Sequence, residues 1–287
     1  MRIVIRWRPE DRTGGGPALR RLRAVLNSAA ETPYYRPWLE AARLLNPNRI
    51  GSLGSLEEAL ACVPRVELSW FLDHAAEFRN RHAPEDYRPA LFHPYHPAPR
   101  TAILAPGFKQ TASIRCFDRN DLEGIAGFGP ECIAGPLDAL LHMARGIRRG
   151  RLALPTVRHS IVSFADVRGG LLTEADRDAL WEGFLVPVFE QLRGMRGELL
   201  ASECEAHMGL HLSPRDAVIE FDTSRRFPEL LFTSLVDFGQ PAIRLATGWT
   251  PTLEEGVCGC GSRYPRIMDL ALIERVRPLA LARAAAC

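Results

Sequence analysis

Residues 132–164 read CIAGPLDALLHMARGIRRGRLALPTVRHSIVSF. CIAG at 132–135 predicts a short buried strand, and HSIVSF at 159–164 predicts a second strand. Between them, apolar residues recur on one helical face, and the segment ends at a glycine that is typical of a helix terminus. These residues are Leu137, Leu140, Leu141, Ala144, Ile147 and the terminal Gly150. The order strand, helix, strand indicates an α/β layer with a parallel sheet.

The same alternation continues on both sides of this stretch. Thr173 and Asp176 are typical of the start of a helix, which we expect to run to about Phe184. Another helix is expected at 118–128, and the Arg-, Ala- and Leu-rich segment 269–285 also predicts a helix. Further strands are expected at 101–105, 113–117, 199–203, 217–222, 229–236 and 241–245. We therefore predict a mostly parallel sheet flanked by helices, followed by a β-rich end.

The N-terminal third has a different pattern. Residues 2–7 predict a short strand, whereas residues 17 to about 82 follow a helical period. Ser55 and Glu58 form the sequence signature of a capping box. Residues 83–100 are rich in Pro and His and predict an extended connector. We expect an N-terminal helical leader with its connector at 1–100 and an α/β core at 101–287, the latter as one compact unit.

Composition excludes several classes of protein. The chain has 287 residues, of which 46% are apolar and 24% charged, and its net charge is +2. This predicts a sizeable core and gives no reason to expect nucleic acid or an anionic membrane as a partner. No apolar stretch approaches the ~20 residues of a membrane span. The N-terminal MRIVIRWRPEDR lacks the features of a signal peptide, so we expect a cytoplasmic protein.

Two short segments carry residues that bind metals. The first reads Cys204-Glu-Ala-His-Met-Gly-Leu-His211, and the second reads Cys258-Gly-Cys260-Gly. Thiolates and imidazole suit tetrahedral Zn²⁺, and four such ligands close a structural site. We predict a Zn²⁺ site formed by Cys204, His211, Cys258 and Cys260. His207 is the rival imidazole, and three unrelated cysteines are the alternative interpretation.

Several longer stretches resemble the phenylacetate–CoA ligases, which activate an aryl acid with ATP and pass it to CoA. They are LLASECEAHMGLHL (199–212), ELLFTSLVDFGQPAIRLATGW (229–249), CGCGSRYPRI (258–267), ETPYYRPWL (31–39) and GPLDALLHMARGI (135–147). The resemblance implies the fold of a shortened N-terminal core of an adenylate-forming enzyme, without the C-terminal lid. In related ligases the same Cys, His and Cys-x-Cys pattern looks like a zinc site, which supports the four predicted ligands.

At the positions of the family's ATP-binding motifs, this chain departs from the family's pattern. The nearest stretch to a phosphate-binding loop, residues 13–16, stands in the wrong place. The Tyr-Gly-x-Ser/Thr-Glu motif falls at Arg193-Gly-Met, where the aromatic residue is replaced by arginine. The Arg-Thr-Gly-Asp motif falls at 246–249, where Trp249 replaces the carboxylate, and an indole cannot accept ribose hydrogen bonds. No lysine follows Lys109, although the lid of the family carries an essential one.

These departures predict a chain that is not competent for ATP-dependent acid activation. We expect a non-catalytic or diverged relative that binds a partner protein, a second copy of itself, or a small aromatic or acyl acid. Residues of the possible cleft are Arg193, Arg244, Thr247 and Trp249. Two alternatives stay open: a subunit completed by a second polypeptide, or an enzyme of another class acting on an aryl or acyl substrate. Candidate catalytic residues for that enzyme are His159, Asp166, Glu198 and Glu203.

Overall fold

The computed structural model describes residues 3–5, 16–84, 86–94, 97–169, 171–213, 215–224 and 226–273. The helices are α1 (Pro17–Ala29), α2 (Arg36–Ala41), α3 (Pro47–Gly51), α4 (Leu56–Ala61), α5 (Leu68–Asp73), α6 (Leu122–Phe128), α7 (Leu137–Arg148) and α8 (Glu174–Phe184). The strands are β1 (Ile3–Ile5), β2 (Val66–Glu67), β3 (Thr101–Ile103), β4 (Ile114–Cys116), β5 (Cys132–Pro136), β6 (Ser160–Asp166), β7 (Val188–Arg193), β8 (Leu199–Glu203), β9 (Leu210–Leu212), β10 (Ala217–Asp222), β11 (Glu229–Ser234), β12 (Leu245–Ala246), β13 (Trp249–Glu254) and β14 (Arg266–Leu272).

The chain forms two compact units. One contains the residues up to 87, residues 212–256 and the chain from 263 onward, and the other contains residues 88–211 and 257–262. The sequence predicts a domain boundary at residue 100, and that boundary stays a prediction. None of the helices in the described ranges is both long enough and apolar enough to cross a bilayer.

The second unit is built on a parallel sheet. Its strands follow the order β4-β3-β5-β6-β7, all parallel, and β8 then joins β7 in the antiparallel direction. Parallel strands with both faces covered are apolar along their whole length, and β5 and β6 accordingly carry the buried Ile133 and Ile161. The mixed α/β fold with a large, mostly parallel sheet and flanking helices is therefore confirmed.

Helices α7 and α8 pack together and contribute to the core of this unit. Leu140 of α7 and Leu180 of α8 are fully buried in one cluster with residues of β5 and β6. A Cβ on Gly183 of α8 would lie 2.6 Å from the Cβ of Ala144 in α7, so only glycine permits this approach. The capping box that begins α8 is confirmed, because the Thr173 hydroxyl accepts from the Asp176 amide and the Asp176 carboxylate accepts in return.

The first unit combines short helices with antiparallel strands. Its sheet follows the order β1-β10-β11-β12-β2, in which only the β12–β2 pair is parallel, while β13 and β14 form an antiparallel pair. The predicted helical face of α1 is confirmed, since Leu22, Val25 and Leu26 are fully buried. The Ser55 hydroxyl accepts from the Glu58 amide at the start of α4, as the capping signature predicts.

Two sequence predictions for this unit are wrong. The segment expected to be helical from residue 269 is strand up to Leu272, because β14 pairs with β13 and places Leu272 opposite Trp249. Long-range pairing here overrides the helical propensity of Ala and Leu. The rest of that predicted helix, 274–285, lies outside the described residues. The strand expected at 241–245 begins only at Leu245.

Candidate metal centre

The four predicted metal ligands lie together in the second unit. Cys204 follows directly after β8, and His211 is the central residue of β9. Cys258 and Cys260 lie on a turn in which the Gly261 amide donates to the Cys258 carbonyl at 2.8 Å. Gly261 has φ +83°, a conformation that favours glycine.

The distances between these side chains match a tetrahedral zinc site. One ligand atom from each of the four residues lies within 4.8 Å of all the others. Cys204 Sγ is 3.7 Å from Cys258 Sγ, and Cys260 Sγ is 3.4 Å from His211 Nε2. Zinc–sulfur bonds of about 2.3 Å and zinc–nitrogen bonds of about 2.0 Å give tetrahedron edges of about 3.8 and 3.5 Å. The donor set and its spacing therefore fit Zn²⁺ with protein ligands in all four positions.

The thiols of this cluster differ in how readily they ionise. The pKa of Cys258 is lowered to about 6, mainly because the Cys260 backbone amide donates to its sulfur, with a further contribution from His211. The pKa of Cys204 is raised to about 11, mainly because burial disfavours its thiolate. A bound cation stabilises thiolates. The pKa values of these two thiols are thus shifted in opposite directions.

His207, the rival imidazole, has a different environment. Its Nδ1 atom lies 3.0 Å from Glu203 Oε1, and its ring stacks on Phe189 with 4.7 Å between the ring centroids. The cluster of ligand atoms contains His211 rather than His207. The sequence offers two histidines, four residues apart, as the candidate imidazole ligand. The tertiary structure places His211 in the cluster and His207 beside Glu203.

Arg193, predicted as a cleft residue, is buried at the end of β7. Its guanidinium carbon lies 4.9 Å from the ring centre of Phe108 and 4.7 Å from that of Phe164. Its Nη1 atom donates to the Gly197 carbonyl at 2.6 Å, and Nη2 donates to the Ala90 carbonyl at 3.3 Å. The side chain is only 3% exposed. Its charge and its hydrogen-bond donors are thus directed into the unit.

The other three predicted cleft residues belong to the first unit and are also buried. Arg244 pairs with Glu220, with 3.2 Å between Nε and Oε1. The Thr247 hydroxyl donates to the Leu230 carbonyl at 2.8 Å and accepts from the Trp249 amide at 3.2 Å. Trp249 is 9% exposed. That these residues and Arg193 line one cleft stays a prediction.

The candidate catalytic residues have separate local surroundings. His159 is exposed just before β6. Asp166 pairs with Arg168, with 2.7 Å between carboxylate oxygen and Nη2. Glu198 is fully buried and accepts from the Arg196 amide. The fourth candidate, Glu203, belongs to a buried network beside the metal ligands.

That network contains a residue which sequence reasoning missed. Glu190 in β7 is 2% exposed, and it and Glu203 lie 3.5 and 3.2 Å from the same Arg177 nitrogen. Burial, more than any neighbouring charge, raises the pKa of Glu190 to about 7. The available signal was a glutamate within the apolar run VPVFEQL at 186–192.

Comparison with known proteins places the fold. No protein-family model matches the chain, and no curated protein sequence matches it. Three structures of 2-hydroxyisobutyryl-CoA ligase do match: an open conformation with 2-HIB-AMP and CoA, a thioesterification state with the same molecules, and a postadenylation state with R3-HIB-AMP. Their TM-scores are 0.62, 0.61 and 0.60, with identities of 17%, 18% and 16%. The matches cover 92%, 93% and 91% of this chain and 71%, 71% and 69% of the ligase.

The chain has the fold of an adenylate-forming CoA ligase core. At these identities the likeness establishes the fold, while function depends on the site. The predicted α/β fold class is therefore confirmed, whereas the shortened core and assignment to the phenylacetate–CoA ligase branch stay predictions. The zinc assignment likewise depends on the four ligands of this chain.

Proposed function

We propose that this chain is a non-catalytic relative of the CoA ligases that holds a structural Zn²⁺ and binds a small aromatic or acyl acid or a partner protein. The observation that carries the proposal is the enclosure of Arg193. In the resembling ligases an aromatic residue at this position packs on adenine. In this chain the guanidinium instead lies against two phenylalanine rings that stack on each other, Phe108 and Phe164.

The contacts of the Arg193 side chain disfavour nucleotide binding at this position. The guanidinium of Arg193 lies within cation–π distance of both phenyl rings, and such attraction is worth about 0.5–2 kcal/mol. Its Nη atoms also donate to two backbone carbonyls, so rotating the side chain outward would break these hydrogen bonds together. An adenine ring would have to displace this whole arrangement. The burial of Arg193 thus supports the loss of adenine binding.

Trp249 supports the same interpretation from the other predicted motif. The ligases use a carboxylate at this position to accept hydrogen bonds from both ribose hydroxyls. An indole has one N–H donor and no acceptor of that kind. With 9% of its surface exposed, Trp249 is a core residue of its unit.

The proposed zinc has a structural role. Cys204, His211, Cys258 and Cys260 would fill all four positions of a tetrahedral ion, which leaves no position for substrate or water. When bound, the ion contributes folding free energy and holds the thiolates in one geometry. Bound to the ion, Cys204 and Cys258 would hold the turn at 258–261 next to the end of β8.

The proposal is tested by acid-dependent ATP–pyrophosphate exchange over a panel of aryl and acyl acids, with a competent CoA ligase as the positive control. We expect no exchange above background, and no saturable binding of ATP with Mg²⁺ by calorimetry in the micromolar range. Exchange with even one acid would contradict the proposal. The same acids, added without ATP, should raise the melting temperature if a small acid is the ligand. If none of the acids raises the melting temperature, a partner protein is favoured as the ligand.

A further inference from the structure

We propose that Glu203 is a positioning residue for the metal centre, because its buried carboxylate fixes the turn that presents Cys204. This inference rests on the proposed zinc site. Glu203 is the last residue of β8 and immediately precedes Cys204. It is 4% exposed, and its side chain points to a network of donors beside the cluster.

The Glu203 carboxylate joins three parts of the second unit. Its Oε1 atom lies 3.0 Å from His207 Nδ1, in the turn that follows β8. Its Oε2 atom accepts from the backbone amide of Glu190 in β7 at 2.9 Å. The same oxygen accepts from Arg177 Nη2 of α8 at 3.2 Å. One carboxylate thus fastens the ligand-bearing turn to a central strand and to a helix.

A backbone hydrogen bond closes the turn from Cys204 to His207, and His207 is the residue that Glu203 contacts. The His207 amide donates to the Cys204 carbonyl at 3.0 Å, so the first and last residues of the turn are bonded. His207 has φ +49°, which non-glycine residues rarely adopt. Its bond to Glu203 and its stacking on Phe189 hold it in that conformation. His207 therefore locks the backbone that directs Cys204 toward the other ligands.

The contacts of residue 203 favour a carboxylate over an amide. Three donors converge on its two oxygens: the imidazole N–H of His207, the Glu190 amide and the Arg177 guanidinium. A carboxylate accepts hydrogen bonds at both oxygens. A glutamine carries no charge, so its contacts with Arg177 and the Glu190 amide lose charge assistance, and it keeps the His207 contact only if its NH₂ group donates to Nδ1 of the other imidazole tautomer. Glu203→Gln thus keeps the size of the side chain while weakening these contacts.

The test measures metal binding to the purified full chain after metal removal. Zn²⁺ affinity is obtained by competition with a chromophoric chelator, and Co²⁺ substitution reports ligand geometry through its visible d–d bands. We expect Glu203→Gln to bind Zn²⁺ about 10–100-fold more weakly, the range for outer-shell partners of metal ligands, and to shift the Co²⁺ bands. The matched control is Glu205→Gln. It makes the same charge change next to Cys204 on an exposed side chain and should stay within about twofold of wild type.

A second variant keeps the inference testable if Glu203→Gln does not fold. His207→Ala removes the residue that the carboxylate holds and leaves the carboxylate with its bonds to Glu190 and Arg177. We expect a weaker but stoichiometric site with shifted Co²⁺ bands. Loss of stoichiometric binding in His207→Ala would contradict the inference, since it would make His207 a ligand. Circular dichroism and the melting temperature establish that each variant is folded.

The outcomes separate this inference from the zinc assignment. A folded wild-type chain that binds neither Zn²⁺ nor Co²⁺ overturns the proposed site. A wild-type chain that binds Zn²⁺, together with a Glu203→Gln variant of equal affinity and identical Co²⁺ spectrum, overturns the positioning role and leaves the site intact.

Discussion

Glu220 and Arg244 form an ion pair from which water is almost fully excluded. Their side chains are 0% and 3% exposed, and Arg244 Nε lies 3.2 Å from Glu220 Oε1. Arg244 Nη1 also donates to the Val63 carbonyl at 2.9 Å, so the pair joins β10 to the segment between α4 and β2. Burial raises the pKa of Glu220 to about 7, although Arg244 opposes that shift.

Removing one partner of this pair should be costly. We expect Arg244→Leu to lower the free energy of unfolding by about 3–5 kcal/mol, because it leaves a buried carboxylate without its counter-charge. The double variant Glu220→Leu/Arg244→Leu should lose less than the sum of the two single variants. Urea denaturation measures all three. Arg119→Leu breaks an exposed pair with Asp138 and should cost no more than about 1 kcal/mol. Equal losses in Arg244→Leu and Arg119→Leu would contradict the expectation.

The metal assignment predicts both a composition and a stability change. Elemental analysis should find about one zinc per chain, and Cys260→Ser should lower both the zinc content and the melting temperature, because metal binding contributes directly to folding. Cys62→Ser, which changes a thiol outside the cluster, is the control and should retain the zinc. A folded preparation made without chelators and free of metal would refute the assignment.

Trp249 should behave as a core residue. We expect Trp249→Ala to cost about 3–5 kcal/mol of stability, the range for deleting a large buried aromatic side chain. The matched control in the same unit is Trp38→Ala, whose side chain is 48% exposed and which should cost under about 1 kcal/mol. A small loss in Trp249→Ala, together with loss of a fluorescence response to aryl acids, would instead make Trp249 the wall of an open pocket.

The raised pKa of Glu190 predicts that the stability of the folded chain depends on pH. Its pKa in the folded chain is raised to about 7, so between about pH 4.5 and 7 the folded chain holds a proton that the unfolded chain releases. This stabilisation is complete below about pH 4.5 and is lost as the pH rises through 7. The stability of Glu190→Gln relative to wild type should therefore rise by about 2–3 kcal/mol from pH 5 to pH 8. Urea midpoints at both pH values measure this, with Glu205→Gln as the exposed control. A difference independent of pH would contradict the prediction.

Local signals made much of the fold predictable. The capping box of Thr173 and Asp176 is a local signal that marks the start of α8. The apolar residues of α7 recur at helical spacing within the helix itself, so they also predict it without distant partners. The four residues of the cluster were also predictable as candidate metal ligands, because thiolate and imidazole are donors that Zn²⁺ prefers. The choice of His211 over His207 depends on which side chain β9 carries to the cluster, and that is decided by strand pairing.

Non-local pairing explains what the sequence did not predict. Strand β7 contains Glu190, Gln191 and Arg193, which break the apolar pattern of a buried parallel strand. Their partners are distant in sequence: Gln191 donates to the carbonyl of Phe92 and Arg193 to that of Ala90. Similarly, pairing with neighbouring strands makes β14 a strand where local propensity predicts a helix. No local window of sequence contains either set of partners.

The ligands of the metal cluster come from two parts of the chain, and the segment between them, 212–256, belongs to the other unit. A bound ion would therefore cross-link the polypeptide across that segment. After a protease cuts one peptide bond within 212–256, the N-terminal fragment keeps Cys204 and His211, while the C-terminal fragment keeps Cys258 and Cys260. The two fragments would then share the ion, and we expect a chelator to promote their separation under mild denaturant.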